Sequence, residues 1–168
     1  VQILAWIHLH YLEASPVIVI CPSSLKVNWK REAEKWAKEM HVQILNGQTP
    51  YEITGNLLII NYDILPYWLN RLVLTGLNTL IIDEAHYVKN NGTKRTKAFK
   101  RLRKYATNII ALTGTPIENK PIEIFNIVQA IDGTIFPNYI SFIKKYCAAK
   151  KDRFGWNTSG ASNTLELN

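Results

Sequence analysis

The chain has 168 residues, 47% of them apolar, which suits one domain with a substantial core. No apolar run approaches the length of a membrane span, and no charged-then-apolar leader precedes the first elements, so an intracellular protein without membrane contact is expected. The net charge of +7 and pI near 9.4 favour polyanionic partners, while Cys21 and Cys147 stand apart in a pattern that predicts neither disulfide nor structural zinc.

Residues 2–13 carry Ile3, Leu4, Ile7, Leu9 and Leu12 at helical spacing until Ser15-Pro16 breaks the pattern. The start at Val1, directly in helix-like sequence and without methionine, reads as a fragment whose N-terminal part is missing. Residues 17–21 form an apolar, β-branched run expected to be a buried strand. Ser23 or Ser24 can cap a helix over residues 25–38, with Trp29, Ala33, Trp36 and Ala37 turned inward. Residues 42–45 are a short strand candidate before the turn at Asn46-Gly47, and residues 57–60 are a second buried strand. Asn61-Tyr62-Asp63 follows, then a helix interrupted by Pro66. A third buried strand covers residues 79–82. A basic helix is expected over residues 93–105, a further buried strand over 108–112, and helices over 121–131 and 138–146. Residues 150–168, basic and then rich in Gly, Ser and Asn, read as loop, which sets residues 1–149 as the ordered domain. Strands separated by helical crossovers predict an α/β fold with a mostly parallel sheet.

In such sheets ligands bind at the C-terminal ends of the strands, where this sequence collects Pro22-Ser23-Ser24, Asn61-Tyr62-Asp63, Asp83-Glu84 and Thr113-Gly114-Thr115. Two adjacent acids at the end of a buried strand are costly unless a cation accompanies them, and nucleotide-borne hydrated Mg²⁺ fits. Asp83 would hold the metal, commonly through its water shell, while Glu84 positions or deprotonates an attacking water. The bland alternative is an acidic helix cap, and the hydroxyl-rich loop at residues 113–116 outweighs it. That loop can hydrogen-bond His86 or Glu84 and relay the state of a nucleotide. On the basic helix, Lys94, Lys97, Arg101 and Lys104 lie opposite Ala98, Phe99, Leu102 and Ala106, the pattern of any solvated outer face.

Asp83-Glu84-Ala85-His86 together with Leu112-Thr113-Gly114-Thr115-Pro116 resembles motifs II and III of superfamily-two helicase-like ATPases. The run from Cys21-Pro22-Ser23-Ser24 through Lys26 to Trp29, with Glu32, resembles motif Ia of the Swi/Snf branch, the double-stranded-DNA translocases. Asn61-Tyr62-Asp63 resembles its motif Ib, and Asn119 fits as well. The tail, Phe154-Gly155-Trp156-Asn157 with Ser159-Gly160-Ala161-Ser162-Asn163, is similar to the annealing-helicase subgroup.

The resemblance implies a three-layer RecA-like lobe of a DNA-dependent ATPase, with ATP and Mg²⁺ as cofactors. Its implied partners are duplex or forked DNA and a second RecA-like lobe. It assigns Asp83 and Glu84 to Mg-ATP and hydrolysis, and His86, Thr113, Gly114 and Thr115 to coupling. Ser23, Ser24, Lys26, Tyr62 and Asp63 fall in the DNA-facing loops. The family's Gly-Lys-Thr phosphate loop occurs nowhere in these 168 residues, so the chain by itself is expected to be inactive. Rival readings are the motor of a restriction endonuclease or RNA helicase, against which residues 22–29 argue, and a non-catalytic DNA- or protein-binding remnant.

Overall fold

The computed structural model describes residues 1–88, 90, 92–114, 121–153 and 155–167. Five strands form one parallel sheet: β1 (Val17–Cys21), β2 (Val42–Ile44), β3 (Leu57–Asn61), β4 (Thr79–Ile82) and β5 (Asn108–Ala111), in the spatial order β2-β3-β1-β4-β5. β1 lies between β3 and β4, with Val19 opposite both Ile59 and Ile81. β1, β3 and β4 are buried along their whole length, which is why they read as unbroken apolar runs.

Successive residues of each strand face opposite layers. Ile18, Ile20, Leu58, Ile60, Leu80 and Ile82 pack against Trp68 and Leu72 of α4 (Leu65–Leu72) and Phe99 and Leu102 of α5 (Lys94–Leu102). Val17, Val19, Leu57, Ile59 and Ile81 pack on the other side against Leu4 and Ile7 of α1 (Gln2–Leu9), Ala14 of α2 (Tyr11–Ala14) and Ala33 of α3 (Lys26–Trp36). This is the expected three-layer α/β architecture.

Several elements differ from their sequence-based expectation. The first helix breaks at His10, whose φ of −114° and ψ of 31° leave the helical region. Ser23 and Ser24 form a 3₁₀ turn with Leu25, and neither hydroxyl caps α3. Trp36 is 39% exposed rather than internal: its indole N–H donates to Glu32 Oε2 at 3.0 Å along the helix surface, beneath the Lys35 ammonium. Pro66 opens α4 instead of interrupting it, since a first-turn residue has no intrahelical N–H partner to lose. β5 is only half-buried because it is the last strand in the sheet order.

α6 (Pro121–Ile131) and α7 (Tyr139–Tyr146) carry a second, aromatic cluster of Phe125, Phe142, Ile143 and Tyr146. Residues 150–167 are not simply loop. β6 (Lys150–Asp152) and β7 (Gly155–Asn157) form an antiparallel hairpin, followed by the short helix α8 (Thr164–Leu167). Trp156 and Leu167 pack on the aromatic cluster, and Lys144 sits 5.4 Å from the centre of the Trp156 ring.

Candidate active site

The site is built where β4 ends. The Asp83 N–H still donates to Ile20 O of the neighbouring strand at 2.8 Å, so the carboxylate leaves the sheet from its last ladder position. Glu84 then takes φ of +53°, a left-handed conformation unusual for a side chain of this size. The chain turns at once into a 3₁₀ helix over residues 85–88. Strain of this kind, of order 1–3 kcal/mol, persists where surrounding bonds impose it. Here they are visible: Glu84 N–H donates to Asp83 Oδ1 at 3.0 Å, and Ala85 N–H donates to Leu112 O at 2.9 Å. The second bond joins the acidic turn to the loop after β5.

Two side chains hold Asp83. Trp29 Nε1–H donates to its Oδ2 at 2.7 Å, and the Tyr62 hydroxyl donates to its main-chain carbonyl at 2.5 Å. Trp29 is thus a site residue that the sequence reading placed simply in the core. A half-buried indole needs a partner for its N–H, and that requirement was the available signal. Glu84 extends toward solvent, its Oε2 3.3 Å from His86 Nδ1. The pair lies at ion-pair distance but is not aligned for a hydrogen bond, since His86 Nδ1 finds no partner of that kind. The imidazole rests against Tyr87 with ring centres 4.8 Å apart.

Of the coupling residues, Thr113 is half-buried and Gly114 exposed, both just beyond Leu112 and therefore beside the acidic turn. Thr115, with Pro116 and Asn119, lies outside the described residues.

The five residues assigned to DNA divide into two groups. Ser23, Ser24 and Asp63 are exposed at strand ends on the same edge as Asp83. Lys26 and Tyr62 turn inward, contrary to expectation. Lys26 is 9% exposed, and its ammonium donates to Leu45 O at 3.0 Å, Asn46 Oδ1 at 2.6 Å and Asn61 Oδ1 at 3.1 Å. All three donors are occupied, and burial lowers its pKa against an opposing contribution from Cys21. Tyr62 is 2% exposed and stacks on Tyr87 at 5.1 Å, and the Arg95 guanidinium lies 5.3 Å from the centre of the Tyr87 ring. Burial first, then the charges of Asp83, Cys21 and Glu84, pushes the Tyr62 phenol well above its ordinary range, so it stays a donor. Burial, with Asp83 in second place, likewise pushes the Cys21 thiol up to about 12.

Asp83 and Glu84 are the residues here that could hold a cation. Among the described residues no three His, Cys, Asp or Glu side chains gather to form a cage. Two adjacent carboxylates are what Mg²⁺ uses when phosphates and water supply the rest of its shell. No helix among the described residues is long and apolar enough to cross a membrane.

Comparison with known proteins finds relatives along nearly the whole chain. Over 165 residues the chain is 33% identical to the SWI/SNF-related matrix-associated actin-dependent regulator of chromatin subfamily A-like protein 1 of Xenopus laevis, covering 94% of this chain and 17% of that protein. It is 33% identical over 171 residues to the DNA annealing helicase and endonuclease ZRANB3 of Mus musculus, covering 94% and 16% respectively. The chain thus spans about a sixth of the length of these curated relatives. Among solved structures it is similar to the Sulfolobus solfataricus SWI2/SNF2 ATPase core in complex with dsDNA, with a TM-score of 0.72 and 29% identity over 97% of this chain and 33% of that one. Residues 1–158 match the SNF2-related domain, and the chain belongs to that family.

Proposed function

We propose that this chain is part of the motor of an ATP-dependent enzyme that moves on duplex or forked DNA, working inside the cell, in the cytoplasm and nucleoid or in the nucleus. The observation that carries the reading is the acidic turn itself. Asp83 and Glu84 stand at a strand end, joined through Ala85 to the loop carrying Thr113 and Gly114, and share one sheet edge with exposed Ser23, Ser24 and Asp63. A nucleotide site and a nucleic-acid surface on one edge are what coupled hydrolysis requires. The relatives support it: one is named an annealing helicase, and the solved neighbour is an ATPase core in complex with dsDNA.

In this reading Asp83, oriented by Trp29 and Glu84 N–H, would hold Mg²⁺ accompanying ATP. The ion supplies neutralisation of phosphate charge when bound. Glu84, half-buried beside His86, orients a water for in-line attack and accepts its proton. His86 beside that carboxylate, with Thr113 in the loop bonded to the acidic turn through Leu112, passes its state toward the DNA-facing loops. Ser23, Ser24 and Asp63 meet the DNA. The site would be completed by a Gly-Lys-Thr loop, whose lysine is not among these residues, and separately by a second RecA-like lobe.

The test is phosphate release by the natural protein that carries this domain, compared without nucleic acid and with duplex DNA, single-stranded DNA and RNA. Stimulation by duplex or forked DNA that disappears in Glu84→Gln is expected. Stimulation by RNA alone would point to the RNA-helicase reading, and no turnover with any of them would make the chain a binding remnant.

A further inference from the structure

Lys26 and Trp29 are three residues apart in the first turn of α3 and therefore share one helix face. From that face they reach three different strand ends. The Lys26 ammonium binds Leu45 O and Asn46 Oδ1 just beyond β2, and Asn61 Oδ1 at the end of β3. The Trp29 indole binds the Asp83 carboxylate just beyond β4 at 2.7 Å. The same helical turn continues without a break from the exposed Ser23–Leu25 turn, which closes through Leu25 N–H to Pro22 O at 3.0 Å. Surface loop, buried cation and carboxylate therefore belong to one short stretch of chain.

We propose that this stretch is a lever: the buried Lys26 ammonium is its pivot, the Ser23-Ser24 turn its outer arm, and Trp29 its inner arm, a positioning residue for Asp83. The inference rests on the reading above that Ser23 and Ser24 meet DNA. Lys26 is suited to a pivot because each of its donors is anchored to a strand end, while Ser23 and Ser24 are exposed on one side of it and Trp29 lies one turn along on the other. A phosphate pressing on the outer arm tilts the helix start and shifts the indole N–H relative to Asp83 Oδ2. The effect extends to Glu84, because Asp83 Oδ1 accepts the Glu84 N–H that helps to hold its left-handed backbone. DNA contact would thus alter the geometry of both acids without any ligand touching them.

The experiment uses the natural protein carrying this domain, with ¹⁵N in its tryptophan indoles. This chain contributes five indoles, and loss of one signal in Trp29→Phe assigns Trp29. Addition of duplex DNA without nucleotide is expected to shift that resonance. In Trp29→Phe, which keeps a ring but loses the donor, the ratio of DNA-stimulated to basal ATP turnover is expected to fall about tenfold, the loss typical of a hydrogen bond to a charged group. Duplex affinity should stay within about twofold, since the indole is not a DNA contact. A stationary resonance at saturating duplex, or an unchanged stimulation ratio, overturns the lever. If the wild-type protein binds duplex yet hydrolyses nothing, the motor reading fails and the resonance alone decides the lever. A protein that binds no duplex removes the premise, and the lever with it. The resonance measurement needs no variant beyond the assignment, so it stands even where Trp29→Phe folds poorly in quantity.

Discussion

The hydroxyl of Tyr62 donates to the main-chain carbonyl of Asp83 at 2.5 Å, from a side chain that is 2% exposed. The loop after β3 is thereby bonded to the end of β4, although β1 separates the two strands in the sheet. Tyr62→Phe removes only the donor and leaves that carbonyl short of a partner. A cost of about 1–2 kcal/mol in urea unfolding is expected. Duplex affinity should hardly change, and a large loss of affinity with unaltered stability would return Tyr62 to the DNA-facing set.

Lys26 gives a complementary test. Replacement by methionine keeps the apolar stem and leaves Leu45 O, Asn46 Oδ1 and Asn61 Oδ1 without their cation. Destabilisation of about 2–3 kcal/mol is expected. A true phosphate contact would instead lower the slope of log K against log salt by about 0.9. Duplex binding by Lys26→Met should show no such drop, and a fall near one would mean that the side chain turns outward in the complex.

Alkaline pH should expose the Cys21 environment. The folded thiol is pushed up to about 12, chiefly by burial, from an ordinary value of 9.0. Below pH 9 both folded and unfolded chains keep the proton. Between pH 9 and about 12 the unfolded thiol ionises while the folded one does not, so stability falls as pH rises, at a limiting slope of about 1.4 kcal/mol per unit. Tyr62, also raised, adds a loss of the same sign above pH 10, and Lys26, lowered, contributes the opposite sign as its folded form titrates below the ordinary 10.5. Denaturant midpoints measured from pH 8 to 10 should therefore decline less in Cys21→Ala than in the wild type, and equal declines would contradict the assignment.

The 168-residue chain by itself should release no phosphate from ATP in a Glu84-dependent manner, with or without duplex DNA. The reason is chemical: the acids and hydroxyls of the site are present, but the Gly-Lys-Thr loop that grips β- and γ-phosphates is not in the sequence. Turnover by the purified chain that vanishes in Glu84→Gln would overturn this.

How far the sequence carried the structure depends on what each residue had to encode. β1, β3 and β4 are buried on both faces, so apolar run and strand coincide almost to the residue. The same signal over residues 108–112 suggests burial on every side, but neighbours in a sheet are not written in a strand's own composition, and β5 is half-buried. Motif order located Asp83, Glu84 and the loop after β5 on one edge. Direction was harder: Lys26 and Tyr62 lie in the expected loops, yet their rotamers point to carbonyls and carboxamides that come from distant segments. Trp29, spaced four and eight residues before Ala33 and Ala37, looked like one more core residue until its N–H was followed to Asp83. The β6–β7 hairpin left little trace because Lys150, Lys151 and Asp152 are all exposed, without the alternation that a half-buried strand shows.

The position of β5 at the end of the sheet order has a practical consequence for anyone handling this chain in concentrated solution. Asn108, Ile109, Ile110 and Ala111 carry neither charge nor proline, the usual guards against a foreign strand docking alongside. The strand is also short, four residues, which limits such pairing. A lysine introduced at Ile109, which unlike Ile110 does not pack on the core beside Ile81, should therefore raise solubility and suppress self-pairing, and light scattering against protein concentration would register the gain.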